Sequence, residues 1–173
     1  MTIGHSTRSL DKLVELLKSH GVERLIDVRT APGSRRMPHF ARASLEVTLP
    51  ERGIEYAHMP ELGGLRKPRP DSVNTAWRND SFRGYADYMH TDDFWRAIDR
   101  LRALAAAKTT AIMCAEAVPW RCHRSLIADA LTVQAVEVRH ITGKGEPAAH
   151  RLTQFAFVVD GRITYPGTDT LPL

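Results

Sequence analysis

Apolar positions along the chain follow two spacings, and the changes between them fall at glycine, proline and small polar residues. Residues 2–5 read as a short strand. Leu10, Leu13, Val14 and Leu17 recur three and four apart and so share one helical face. Ser9 is placed to cap that helix and Gly21 to stop it. Residues 24–29 form the next strand signal, which Pro32-Gly33 breaks, and residues 44–52 carry a weak helical pattern interrupted by Pro50. Residues 54–59 alternate as a strand does. The glycine- and proline-rich stretch 62–70 opens a long irregular excursion through Trp77, Phe82 and Tyr85. Thr91 or Asp92 then caps a helix carrying Phe94, Ile98, Leu101 and Leu104. A buried strand at 111–114, a helix at 125–131 and a strand at 136–141 follow. Residues 155–165 read as a hairpin turning on Asp160-Gly161.

Strands alternating with helices predict an α/β fold, with a mostly parallel sheet of about five strands flanked by helices and a C-terminal β-hairpin. With 173 residues and no linker or repeat, residues 1–173 are expected to form a single domain. Parallel strands joined by right-handed crossovers carry their carboxyl ends to one edge, where ligands bind in open sheets. That edge is predicted to collect His5, Asp27, Arg29, His58, Glu61 and Cys114.

The densest chemistry lies between Cys114 and Ser125. The only two cysteines, Cys114 and Cys122, stand there with Glu116, Arg121, His123 and Arg124. Cys114 is a candidate nucleophile, with basic neighbours and a helix start to favour its thiolate. Its alternative reading is a small buried hydrophobe that shapes the loop, because Glu116 works against ionisation. Glu116, His123 and Asp27 are candidates for acid–base work. A metal held by Cys114, Glu116, Cys122 and His123 has suitable donors, but the spacing is not that of a zinc finger, and adjacent Cys and His side chains rarely reach one ion. A metal is therefore not favoured over direct chemistry by these groups. Arg124 and Ser125 at a helix start are expected to receive an anion. His5, Arg29, Arg35, Arg36 and Tyr85 complete the expected substrate contacts. Asp27 and Arg29 also read as an ion pair that orders the loop.

Charge supports an anionic partner. The net charge is +4 and the pI about 9.3, and three arginines without an acid fall within residues 33–42. No apolar run approaches the roughly 20 residues that span a bilayer. Absence of a signal peptide and two thiols suggest a cytoplasmic protein with no membrane partner.

The motifs Thr2-Ile3-Gly4-His5-Ser6, Asp27-Val28-Arg29, Pro32-Gly33-Ser34-Arg35, Glu61-Leu62-Gly63-Gly64, Phe82-Arg83-Gly84-Tyr85-Ala86 and Cys114-Ala115-Glu116 with Cys122-His123-Arg124 resemble the family called domain of unknown function 488. That resemblance covers nearly the whole chain and implies kinship without an activity. The order of Asp27-x-Arg29 and Cys114 at strand ends also resembles the rhodanese fold, which implies sulfur transfer through Cys114. The sequence departs from that fold in the loop, where Cys114 to Ser125 is long and holds Trp120 and a second cysteine.

Three functions follow as expectations. The first is a cleft enzyme acting on a phosphate-bearing substrate, a nucleotide or nucleic acid. The second is a non-catalytic module that binds the same anionic small molecules or nucleic acid. The third is sulfur transfer through a Cys114 persulfide.

Overall fold

A computed structural model describes residues 1–33 and 36–167. Its sheet has six strands: β1 (Thr2–Gly4), β2 (Arg24–Asp27), β3 (Glu55–His58), β4 (Thr110–Cys114), β5 (Arg139–Ile141) and β6 (Ala148–Ala149). They lie in the order β3-β2-β4-β1-β5-β6. The first five run parallel, and β6 pairs antiparallel on the edge of β5. The parallel core matches the alternation in the sequence. The sixth strand is two residues of alanine, too short for a pattern to register.

Five helices cover the sheet: α1 (Leu10–Ser19), α2 (Arg42–Glu51), α3 (Asp80–Tyr88), α4 (Asp92–Ala107) and α5 (Arg124–Val133). Ser9 caps α1 by accepting from the Lys12 N–H, and Gly21, at φ 66°, closes its other end. Pro50 falls in the last turn of α2, where its missing N–H costs a single helical bond. Helix α3 corrects the irregular reading of residues 62–88. Asn79 caps it by accepting from Ser81 and Phe82 N–H groups, while Gly84, a helix-weakening residue in sequence, lets the backbone of residues 66–68 cross tightly.

Strand alternation divides the apolar core in two. Leu25, Ala111 and Met113 face α1 and α2. Ile26, Ile112 and Cys114 face α3, α4 and α5. The hairpin β7 (Phe157–Val159) and β8 (Arg162–Thr164) forms as expected, with Asp160 and Gly161 both at positive φ. Its Ile163 and the following Tyr165 are buried with α5, so this segment is part of the core.

Candidate active site

The two-faced core opens a cleft. Helix α2, after β2, packs with one core and α5, after β4, with the other. Beta strands β2 and β4 are neighbours, so the chains leaving their carboxyl ends diverge to opposite faces. A crevice at such a divergence is where open α/β sheets bind ligands. Here it has a volume of about 400 Å³. Arg29, Thr30 and Ala31 form one wall, Gly64, Leu65, Ser81 and Phe82 another, and Cys114, Ala115, Glu116, Arg121, Cys122 and His123 the rest. A larger cavity of about 580 Å³ lies among Leu101, Ile112, Leu131 and Val136, with no thiol or imidazole in its walls.

Cys114, Cys122 and His123 meet in this cleft. One ligand atom from each lies within 4.8 Å of the others. His123 Nδ1 is 3.9 Å from Cys114 Sγ and 3.7 Å from Cys122 Sγ. Its Nε2 is 3.1 Å from the Val28 carbonyl, which only accepts, so Nε2 carries the hydrogen and Nδ1 turns its lone pair to the sulfurs. Adjacency of Cys122 and His123 does not keep them apart. Cys122 is extended (φ −140°, ψ 144°) and His123 helical (φ −55°, ψ −13°), and the change of conformation between them brings both side chains to one side. Gly64 closes the ring's other flank. A Cβ there would lie 2.4 Å from His123 Nδ1, so only glycine fits without displacing the imidazole.

Both thiols are buried and unpaired as a disulfide. They behave as one acid. Hydrogen bonding with Cys122 and burial push the Cys114 thiol well above its ordinary value. The reciprocal bond from Cys114, with help from the Arg124 guanidinium, lowers Cys122. Burial opposes that lowering, and the hydrogen bonds outweigh it because they are short-range and made to the charged form. Of the two sulfurs Cys122, which also accepts from Arg124, is the more acidic, although the sequence weighed it only as a metal ligand.

The remaining expected site residues divide between the cleft and its surroundings. Asp27 and His5 share the sheet edge with Cys114 but belong to the opposite face. Asp27 is fully buried and accepts from the Arg29 side chain at 2.8 and 2.5 Å, from the Arg29 N–H at 3.0 Å and from the Tyr56 hydroxyl at 2.8 Å. His5 donates from Nδ1 to the Ser6 carbonyl and accepts from Arg29 at Nε2, with its ring stacked on Phe40. Burial lowers its pKa to about 4. Arg29 spans the two groups and reaches the cleft wall.

Arg124 and Ser125 turn inward, contrary to the expectation that they meet an anion. The Arg124 guanidinium is 1% exposed and donates to Cys122 Sγ at 3.4 Å, to Thr2 Oγ1 at 3.3 Å and to the Glu116 carbonyl at 2.6 Å. Ser125 donates its hydroxyl to the Cys122 carbonyl and its N–H to the same atom. The first turn of α5 is thus closed on itself. Tyr85 lies behind the cleft, its ring 5.1 Å from His123 and its hydroxyl bonded to the Leu62 carbonyl. Glu116 is exposed at the mouth, and its carboxylate bonds to no other described residue. Arg36 is exposed outside the cleft lining, and Arg35 lies outside the described residues.

Sequence reasoning passed over Arg121 as a contact. Its side chain is exposed at the cleft and makes no hydrogen bond or ion pair among the described residues. No acid lies within four residues of Arg121, but the same holds for Arg36, Arg66, Arg124 and Arg151, so sequence spacing alone does not single it out. Asp129 was also missed. It stands in the wholly buried run 126–131 and accepts from His150, Thr153 and Tyr165. A carboxylate inside an apolar helix demands such partners.

The model of the family described as domain of unknown function DUF488 matches residues 9–131. The chain belongs to that family. No curated protein and no solved structure matches the chain. The DUF488 span holds every cleft-lining residue, including Cys114, Cys122 and His123, whereas His140, His150 and Tyr165 lie beyond it. Among the described residues, no helix is long and apolar enough to cross a membrane.

Proposed function

We propose that the chain is a cleft enzyme acting on an anionic, phosphate-bearing substrate such as a nucleotide or a nucleic acid. The observation that carries this reading is the shared cleft: a Cys114, Cys122 and His123 floor, an unpaired Arg121 at the mouth and an apolar wall of Leu65 and Phe82. Arg121 steers and holds the anion. Phe82, stacked on Trp77 at 4.8 Å, offers a face for a base. Glu116, free at the mouth, is placed to move a proton, and the floor is the reacting centre. Asp27, Arg29 and His5 hold the wall rather than touch substrate. The long loop after Cys114 and the shielding of its thiol argue against sulfur transfer, since a sulfur carrier needs an accessible thiolate.

The test is equilibrium binding of nucleoside phosphates and short single-stranded oligonucleotides, followed by assay for phosphate release or strand cleavage. Binding is expected to weaken with rising salt and to fall about tenfold in Arg121→Ala, the scale of one lost charged hydrogen bond. Turnover should vanish in Glu116→Gln while binding persists. Binding that depends on Arg121 without any turnover would leave a non-catalytic module. No binding, or binding indifferent to Arg121, would overturn the proposal.

A further inference from the structure

Two thiols and an imidazole nitrogen without a hydrogen converge on the cleft floor. His123 Nδ1 has none, because its hydrogen sits on Nε2 against Val28. Cys122 Sγ already accepts from Arg124 Nε at 3.4 Å. At a tetrahedral centre with bonds of about 2.3 Å to sulfur and about 2.1 Å to nitrogen, the donor atoms stand about 3.6 Å (S to N) and about 3.8 Å (S to S) apart. The observed 3.7 and 3.9 Å between Nδ1 and the sulfurs match that edge to within a few tenths. We propose that Cys114, Cys122 and His123 bind a zinc-type divalent transition metal through two sulfurs and one imidazole nitrogen, with the fourth position open to the cleft.

Four features support a metal over a plain hydrogen-bonded triad. The donors are two thiols and an imidazole, the set that soft and borderline metals select. The imidazole is oriented by a backbone carbonyl on its far nitrogen and by Gly64 on its flank, the outer-shell support that metal-bound histidines have. Ligation releases one thiol proton from each cysteine and leaves a neutral centre of one dication and two thiolates. Arg124, buried beside Cys122, then balances the charge of an anionic fourth ligand. That ligand is a hydroxide from water or an oxygen of the phosphate-bearing substrate, so the inference deepens the cleft-enzyme reading and rests on it for the identity of the fourth ligand alone. Two cysteines, one histidine and one open position form a catalytic donor set, whereas closed structural sites use four protein ligands.

The test uses the full chain and the metal alone. Protein stripped with chelator is titrated with cobalt(II), and the expected product is a one-to-one complex with intense visible d–d bands and a thiolate-to-cobalt charge-transfer band. Zinc should displace the cobalt. In mild denaturant the zinc-loaded protein should resist iodoacetamide at both cysteines, and chelator should restore labelling under the same conditions. Cys122→Ser should weaken cobalt binding at least 100-fold and remove part of the charge-transfer intensity. Should that variant not fold, the labelling comparison on the unaltered protein decides. Weak octahedral cobalt spectra, or thiols labelled equally with and without zinc, would overturn the proposal. If zinc binds but phosphate-bearing compounds do not, the substrate reading falls and the metal site stands. If Arg121-dependent anion binding occurs without tetrahedral cobalt, the metal site falls and the substrate reading stands.

Discussion

Helix α5 carries a polar cluster at each of two levels, and the two are built on opposite principles. Around Asp129 every group is occupied. Asp129 only accepts and Arg124 only donates, so a chain with one hydrogen per contact runs from Arg124 to Thr2, to His140, to His150 and to Asp129. Thr153 and Tyr165 fill the other carboxylate positions. At the start of the same helix, Cys114, Cys122 and His123 converge with lone pairs to spare and a cleft above them. A saturated network in a low-dielectric interior fixes the fold, because each missing partner leaves a costly orphan. The unsaturated cluster leaves its capacity for something that arrives from outside. Arg124 belongs to both, and its burial follows from that double role.

The comparison breaks most readily at Asp129. Asp129→Ala orphans donors from His150, Thr153 and Tyr165 and is expected to cost about 3–5 kcal/mol, as loss of a buried charged partner does. Denaturant unfolding measures it, and a loss under about 1 kcal/mol would show that the network is dispensable. A smaller effect comes from pH. Burial lowers the pKa of His140, and likewise of His5, from 6.5 to about 4. Each is protonated more readily unfolded than folded, so stability is full above pH 6.5 and falls as the pH drops toward 4. Unfolding free energies measured across that window should decline, and the slope should flatten in His140→Asn at matched ionic strength. Next, Gly64→Ala forces a methyl against His123 and should cost about 1–3 kcal/mol by overpacking. Cobalt spectra of that variant should show a distorted or absent tetrahedral centre, whereas Asp129 variants that still fold should keep it. Smallest is Arg121→Ala, expected to move stability by less than about 0.5 kcal/mol, since the side chain is exposed and unpaired. A larger loss would mean that Arg121 braces the loop, and would weaken its role in steering substrate.

Much of the frame was legible because side-chain period reports burial. The helix of Leu10, Leu13, Val14 and Leu17, the parallel strands and the Asp160-Gly161 turn all follow from spacing and turn chemistry. The same rule, taken one step further, separates Asp27 from Cys114. Leu25 and Asp27 have one parity on β2, while Ile112 and Cys114 have the other orientation on β4, so a common edge does not mean a common face. The convergence of Cys122 and His123 was not legible, because it depends on a change from extended to helical backbone between two neighbours. Nor was the inward turn of Arg124, whose partners include the Glu116 carbonyl. Backbone acceptors such as that carbonyl and Val28's leave no mark in the amino-acid sequence.

The bond from His123 to the Val28 carbonyl joins residues 95 apart in the chain. In an unfolded chain, or in a peptide cut from the loop, Cys122 and His123 would still stand side by side. The imidazole proton would then exchange between its two nitrogens, and either could face the thiols. Only when β2 has docked beside β4 does one tautomer prevail. The centre therefore depends on tertiary structure, and a fragment carrying all three of its side chains would still lack the atom that tells His123 which way to face.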